Sequence, residues 1–343
     1  MRTPLARLTL LSALLSLPML PSALFGQGCV IARGGDSCMV TDGSGHLGKG
    51  DWRLNLAYRH FDSHRHFAGD DEQTHRSDQG TEVYNNSNFF DVTATYGWSN
   101  RLNLSLTIPT VWHDRSSMYE HLGNSSGQRF STQAAGLGDV RVSGSYWVLD
   151  PVADNRGNLA VGFGLKVPTG NAEVRDIFVR SSGPTERYVD SSIQPGDGGW
   201  GYTVELDGFW RIKSGLSVYG SGYYLINPEG RNEKTGFSIP DSYLVRCGLN
   251  YRVDSVKGLS ISLGARNEGV IAHDLIGNSR GSRRPGFAVA VEPGVTYGKG
   301  RYTGTLTVPI AVHRNRTTTF GSIKAGDAAF ADYTINFSLS MKI

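Results

Sequence analysis

The sequence predicts an all-β fold, a closed antiparallel transmembrane barrel of 12 strands, and three observations predict it. The first is the run Tyr333–Ile343. Tyr333, Ile335, Phe337, Leu339, Met341 and Ile343 are apolar, and every residue between them is polar. A period of two puts the apolar side chains on one strand face and Thr334, Asn336, Ser338, Ser340 and Lys342 on the other. Roughly 11 residues is also what a tilted strand needs to cross a bilayer. A last strand this long needs a partner on both edges, and a barrel supplies one by pairing it with the first strand. The second observation is that the same alternation recurs twelve times. The third is that connections alternate between short and long, as periplasmic turns and external loops do in outer-membrane barrels.

Residues 1–27 read as a targeting segment. Arg2 and Arg7 give a positive start, Leu8 to Phe25 an apolar stretch broken by Pro18 and Pro21, and small residues follow. Such a segment fits a secretion signal cleaved near Gly26–Gly28 better than an anchor. Phe25-Gly-Gln-Gly-Cys29 is a poor lipidation box because Gln27 is bulky. Residues 28–49 follow as a short periplasmic segment. Its Cys29 and Cys38 would suit a disulfide in an oxidising compartment, and they lack the spacing of a zinc knuckle. Cys247 falls on an apolar phase and reads as a small lipid-facing residue.

The barrel is expected over residues 50–343. Its segments are Asp51–Phe61, Phe89–Trp98, Arg101–Val111, Leu137–Leu149, Asn158–Pro168, Gly199–Ile212, Leu216–Ile226, Asp241–Val253, Leu259–Glu268, Gly286–Tyr297, Arg301–His313 and Asp332–Ile343. Trp52, Leu54, Leu56 and Tyr58 carry the outward phase of the first, and Leu102, Leu104, Leu106 and Ile108 that of the third. The short connections, such as Ser99-Asn100, Lys213–Gly215 and Gly298-Lys-Gly300, are rich in turn residues. An even number of strands then leaves both termini in the periplasm and six long loops outside. Tryptophans and tyrosines near segment ends, among them Trp52, Trp98, Trp147, Trp200, Trp210 and Tyr297, suit interfacial girdles.

Composition agrees. No second stretch has about 18 apolar residues in a row, so no spanning helix is expected. Hydrophobic content is 39% and mean hydropathy is negative, as when every second strand residue faces a wet lumen. A net charge of +3 without a basic run gives no sign of nucleic-acid binding.

The phase opposite the apolar one should line the interior. It carries Arg53, Arg59, Asp91, Asp139, Arg141, Lys166, Glu205, Asp207, Arg211, Arg246, Arg252, Arg266, Glu268, Glu292 and Lys342, nine positive and six negative charges. Charges in a closed interior must pair or stay hydrated. Two readings stand: a barrel plugged by ion pairs, or a narrow wet passage for small polar or anionic solutes. Small inward residues, including Gly162, Gly164, Gly264, Thr305 and Thr307, leave space for the second. Three prolines, Pro109, Pro168 and Pro309, share a Leu/Thr/Lys/Val/Ile-Pro context near the outer end of outward-running strands. Each removes a ladder bond, so each marks a strand end above the membrane or bends a strand inward.

Two further clusters hold chemistry-bearing types. His60, His64, His66 and His75 with Asp70, Asp71 and Glu72 fall in the first external loop, where nothing fixes metal geometry. His113-Asp-Arg-Ser116 contains hydrolase types at a loop edge, but there is no Gly-x-Ser-x-Gly elbow or His-x-Ser on an outward phase. Neither an enzyme, nor a cofactor, nor a resident metal is expected.

Arg101-Leu-Asn-Leu-Ser-Leu-Thr-Ile-Pro109, Gly136-Leu-Gly-Asp-Val-Arg-Val-Ser143 and Leu165-Lys-Val-Pro-Thr-Gly170 resemble strand signatures of the outer-membrane transporters named for the meta-pathway of phenol degradation. The resemblance covers Phe89 to Gly170 best, together with the closing strand, and its motifs mark strands and turns only. It implies uptake of small aromatic or hydrophobic compounds, as in the fatty-acid (FadL-like) and toluene transporters. The combined expectation is a transporter or porin-like channel in the outer membrane of a diderm bacterium. Its partners would be outer-membrane lipids, the assembly machinery through the C-terminal strand, and a small-molecule solute; the alternative is a structural barrel without conductance.

Overall fold

The structure, a computed structural model, describes residues 46–121, 128–151, 153, 156–320, 323–324 and 326–343. The leader expected at residues 1–27 and the Cys29–Cys38 disulfide lie outside the described residues. Twelve staves form the barrel: β1 (Trp52–Ala68), β2 (Tyr84–Gly97), β3 (Leu102–Ser117), β4 (Phe130–Leu137, then Val140–Trp147), β5 (Gly157–Val167) and β6 (Gly201–Lys213). The other half is β7 (Leu216–Ile226), β8 (Ser242–Arg252), β9 (Leu259–Val270), β10 (Gly286–Lys299), β11 (Tyr302–Thr307, then Ile310–Arg316) and β12 (Ala328–Ala331, then Ile335–Lys342).

Each stave runs antiparallel to its sequence neighbour. β12 closes the ring on β1 through a register running from Arg53↔Lys342 to His60↔Ile335. Closure leaves no open sheet edge inside lipid, where an unpaired backbone group has no water to bond. No helix among the described residues is long and apolar enough to cross a membrane.

The alternation read from sequence is the alternation of the walls. On β3, Leu104, Leu106 and Ile108 are exposed on the outer face, whereas Thr107 is buried inside. There its hydroxyl lies 3.0 Å from that of Thr93 on β2. Trp147 departs from the expected girdle: it turns inward, is buried, and packs edge-on against Phe209 at 6.4 Å. Its neighbours Tyr146 and Val148 are the exposed, outward ones, so strand phase overrides the aromatic preference for the interface.

Several staves extend beyond their expected ends. β1 continues from Phe61 to Ala68 and β3 from Val111 to Ser117. Above the lipid band water wets both faces, so the apolar period fades while the hydrogen-bond ladder goes on. The segment expected as Leu137–Leu149 instead begins at Phe130 and breaks at Gly138–Asp139. Gly136 there has φ +150°, and the inward phase shifts from even-numbered to odd-numbered residues.

The prolines differ from one another. Pro109 stays in the ladder opposite Asp91 of β2, and its carbonyl accepts the Gly138 N–H at 2.8 Å on the β4 side. Pro309 falls in the gap that divides β11. β3 runs unbroken through its proline and β11 resumes above its own, so only Pro168, directly after β5, marks a strand end. A proline that keeps its carbonyl in use and loses only its own N–H fits inside a strand at such a break.

Candidate functional site

Two cavities lie one above the other inside the barrel. The outer vestibule, about 1060 Å³ of empty space partly open to solvent, is lined by Phe61, Ser87, Asn227, Phe237, Arg283 and Arg284, among others. The mid-lumen cavity, about 1030 Å³, is lined by Arg59, Asp91, Arg141, Lys166, Tyr223 and Arg246, among others. Phe89, Asp197 and Leu225 line both, so the two adjoin.

The segment 189–198, which returns from the long β5–β6 loop, builds the floor of the vestibule. Val189 and Ile193 are fully buried and pack with Ala134 of β4, while Gln194 holds both backbone groups of Val174. Its far end is pinned inside the barrel. The Asp139 carboxylate accepts the N–H groups of Gly170 at 3.0 Å and Asp197 at 3.1 Å, and Lys166 pairs with Asp197. Gly196 is required here, because a Cβ would come within 2.6 Å of the Gly170 backbone.

Around the mid-lumen cavity the cations are held in place. Arg141 meets Asp91 at 3.0 Å. The Arg59 guanidinium lies over the Phe89 ring at 4.5 Å, a cation–π contact that leaves the charge inside the passage. On the wall formed by β8, β9 and β10, Arg246 reaches Glu292 at 2.6 Å, and Arg266 lies 3.0 Å from Glu268 and 3.6 Å from Glu292. All four side chains of this quartet are buried. Glu205 accepts from Thr203 at 3.1 Å, and Asp207 shares its inward face of β6.

Below the cavity the interior fills. Trp147, Ala160 and Phe209 form one buried cluster. The Tyr219 hydroxyl occupies the space over Gly248 and Gly264, so Gly264, expected to leave room for solute, makes room for a side chain instead. Gly164 is likewise close against Thr203 and Ser143. Thr305 and Thr307 do face the mid-lumen cavity.

Four of the expected lumen residues sit at the short-turn end of the barrel. Arg211 and Arg252 are exposed at the mouth beside Arg156 and Lys213. Lys342 pairs with Asp51 at 2.7 Å on the rim, and Arg53 is half-buried opposite Lys342. For these positions depth along the strand, and not phase alone, decides whether a residue meets lumen or bulk water.

The external histidines do not converge. His66 is buried; its Nε2 accepts the Val83 N–H at 2.8 Å and its Nδ1 lies 3.3 Å from Asp327. Arg76 adds a second contact to Asp327 at 2.8 Å. Burial alone would raise the Asp327 carboxyl, but hydrogen bonds from His66 and Arg76 outweigh it and hold the group down at about 2. No group of three metal-ligand residues comes together among the described residues. His113 turns inward against Phe89 at 4.9 Å, while Ser116 falls on the opposite strand phase, so the two cannot form a dyad.

Sequence reasoning missed the loop charges. Asp190 joins Arg284 and lies 3.7 Å from Arg115, which itself meets Glu120 at 2.8 Å. Burial works against the Asp190 charge, yet Arg115 and Arg284 keep its carboxyl well below the usual range. Arg283 is held by Asp274 at 2.6 Å. Apart from Arg115, on the outer extension of β3, these residues lie in connections without periodicity, and nothing in the sequence marks them.

No family model matches the chain. Among solved structures it is similar to the COG4313 outer-membrane channel from Pseudomonas putida F1, with a TM-score of 0.59 and 13% identity over 91% of this chain and 100% of that one. Weaker likenesses are the P. putida toluene transporter TodX (TM-score 0.43, 8% identity, 93% and 98% covered) and the KdgM porin (TM-score 0.40, 9% identity, 84% and 98% covered). At these identities the likeness is one of fold, an outer-membrane-type barrel.

Proposed function

We propose that the chain is a channel of the bacterial outer membrane that passes small organic anions, aromatic acids among them, and that it catalyses no reaction. The observation that carries this reading is the mid-lumen cavity adjoining the vestibule, whose lining brings Arg59, Arg141, Lys166 and Arg246 together with Phe89 and Tyr223. Fixed cations at a narrow point favour anions electrostatically, and aromatic walls favour a flat apolar body behind the charge. A second reading, a barrel without conductance, draws support from the dry quartet Arg246–Glu292–Arg266–Glu268 and the Trp147–Phe209–Tyr219 filling below it.

Single-channel recording in planar bilayers separates the two. Openings whose reversal potential in a salt gradient shows anion preference, with benzoate permeating at least as well as acetate, are expected. Silent membranes containing correctly inserted protein would defeat the channel reading.

A further inference from the structure

At the periplasmic mouth the described residues form a depression that no part of the transport reading uses. Arg156, Arg211, Lys213 and Arg252 line it, together with Ser217 and Asn250. Among the described residues the lining holds these four cations and no carboxylate, with Asp254 4.0 Å from Arg252, so positive charge dominates. The depression crosses the rim of the barrel. Ser217 and Asn250 are buried on the inward phase of β7 and β8, which is the lumen side. Arg156 belongs to the other side: its guanidinium lies over the Trp210 ring at 5.5 Å, and Trp210 is 53% exposed on the lipid-facing phase of β6. Arg156 is set in that place by donating to the carbonyls of Arg211 at 3.0 Å and Ile212 at 3.1 Å.

An interfacial tryptophan marks the level of the headgroups, and a cation fixed on its face stands where a lipid phosphate would lie. A basic pocket at that level is suited to an anionic headgroup. We propose that this rim depression binds one anionic phospholipid of the inner leaflet. The phosphate would lie among Arg156, Lys213 and Arg252, and the acyl chains would run along the Trp210 face. A zwitterionic headgroup would bring its ammonium into the same cationic surroundings and be disfavoured, so phosphatidylglycerol or cardiolipin is selected over phosphatidylethanolamine. Conduction is not needed for this site, and a silent channel would leave it standing.

Native mass spectrometry of the full chain released from nanodiscs with equal phosphatidylglycerol and phosphatidylethanolamine tests it. One phosphatidylglycerol should be retained per barrel in clear excess over phosphatidylethanolamine, and Arg156→Gln with Lys213→Gln should lower retention about fivefold for each cation removed. Arg156 lies in a turn and Lys213 ends β6, both exposed, and the circular-dichroism spectrum of the variant checks that the barrel is intact. A second arm compares thermal midpoints in detergent with short-chain phosphatidylglycerol and with inorganic phosphate. Stabilisation by the lipid alone supports the site. Equal retention of the two lipids, indifference to the substitutions, or the same stabilisation by free phosphate would overturn it.

Discussion

Arg246 spans from β8 past β9 to Glu292 on β10, and at 2.6 Å in a buried setting the two charges are committed to each other. Removing Arg246 leaves buried Glu292 with the longer 3.6 Å contact to Arg266; breaking a buried pair typically costs up to about 3–5 kcal/mol, whereas replacing both by apolar groups of similar volume is far cheaper. Arg246→Gln should therefore destabilise the barrel strongly, and Arg246→Met combined with Glu292→Leu should recover most of the loss. Urea midpoints of refolding into lipid vesicles, arranged as a double-mutant cycle, measure this. Arg246→Gln, which removes the cation and leaves Glu292 in place, should also show weaker anion preference; an unchanged reversal potential would remove Arg246 from the selectivity argument. These residues were legible in the sequence because strand phase alone turns them inward. Asp190, Asp197, Arg283 and Arg284 were not, since a loop side chain has no periodicity to say which way it points.

Whole elements were legible where lipid enforces alternation and illegible where it does not. The start and end of β7, Leu216–Ile226, could be read directly, because turn residues flank an unbroken apolar phase. β1 ran seven residues past its expected end at Phe61, to Ala68, since its outer part pairs with Ala328–Ala331 in water and buries Phe67 against Phe330. That outer extension is where pH should act. Asp327 ties the start of β12 to His66 of β1 and to Arg76 of the short helix His75–Asp78. Its carboxyl sits at about 2 in the folded protein and near 3.9 when unfolded. A group depressed on folding contributes stability above its unfolded value and loses it as pH falls through the folded one. The extension should thus be protected at neutral pH and loosen between about pH 4 and pH 2. Amide protection factors over Ser63–Ala68 and Ala328–Ala331 should fall in that window, and Asp327→Asn should be weakly protected at every pH. Protection factors that stay flat across the window would show that the Asp327 contacts do not hold the extension.

At the scale of the molecule, one alternation assigns each side chain to lipid or lumen, and adjacent residues test it most directly. Leu339 and Ser338 are consecutive on β12, the strand that seals the ring against β1 at Leu56 and Ala57. Leu339 faces out and is exposed, whereas Ser338 lines the mid-lumen cavity. An arginine in the lipid-facing position near the middle of the bilayer costs about 2–4 kcal/mol, and the same residue in the lumen can stay hydrated. Leu339→Arg should lower the unfolding free energy in lipid vesicles by that amount while leaving ion selectivity of the surviving channels unchanged. Ser338→Arg should do the reverse, with little loss of stability, lower conductance and a reversal potential moved further toward anions. The expectation depends on register, since a shift of one residue between β12 and β1 would exchange the two outcomes. Register cannot be read from β12 by itself. It follows from Arg53 lying opposite Lys342 and from the twelve-stave closure that places them there, so the pair of variants tests the sealing of the whole barrel through two neighbouring side chains.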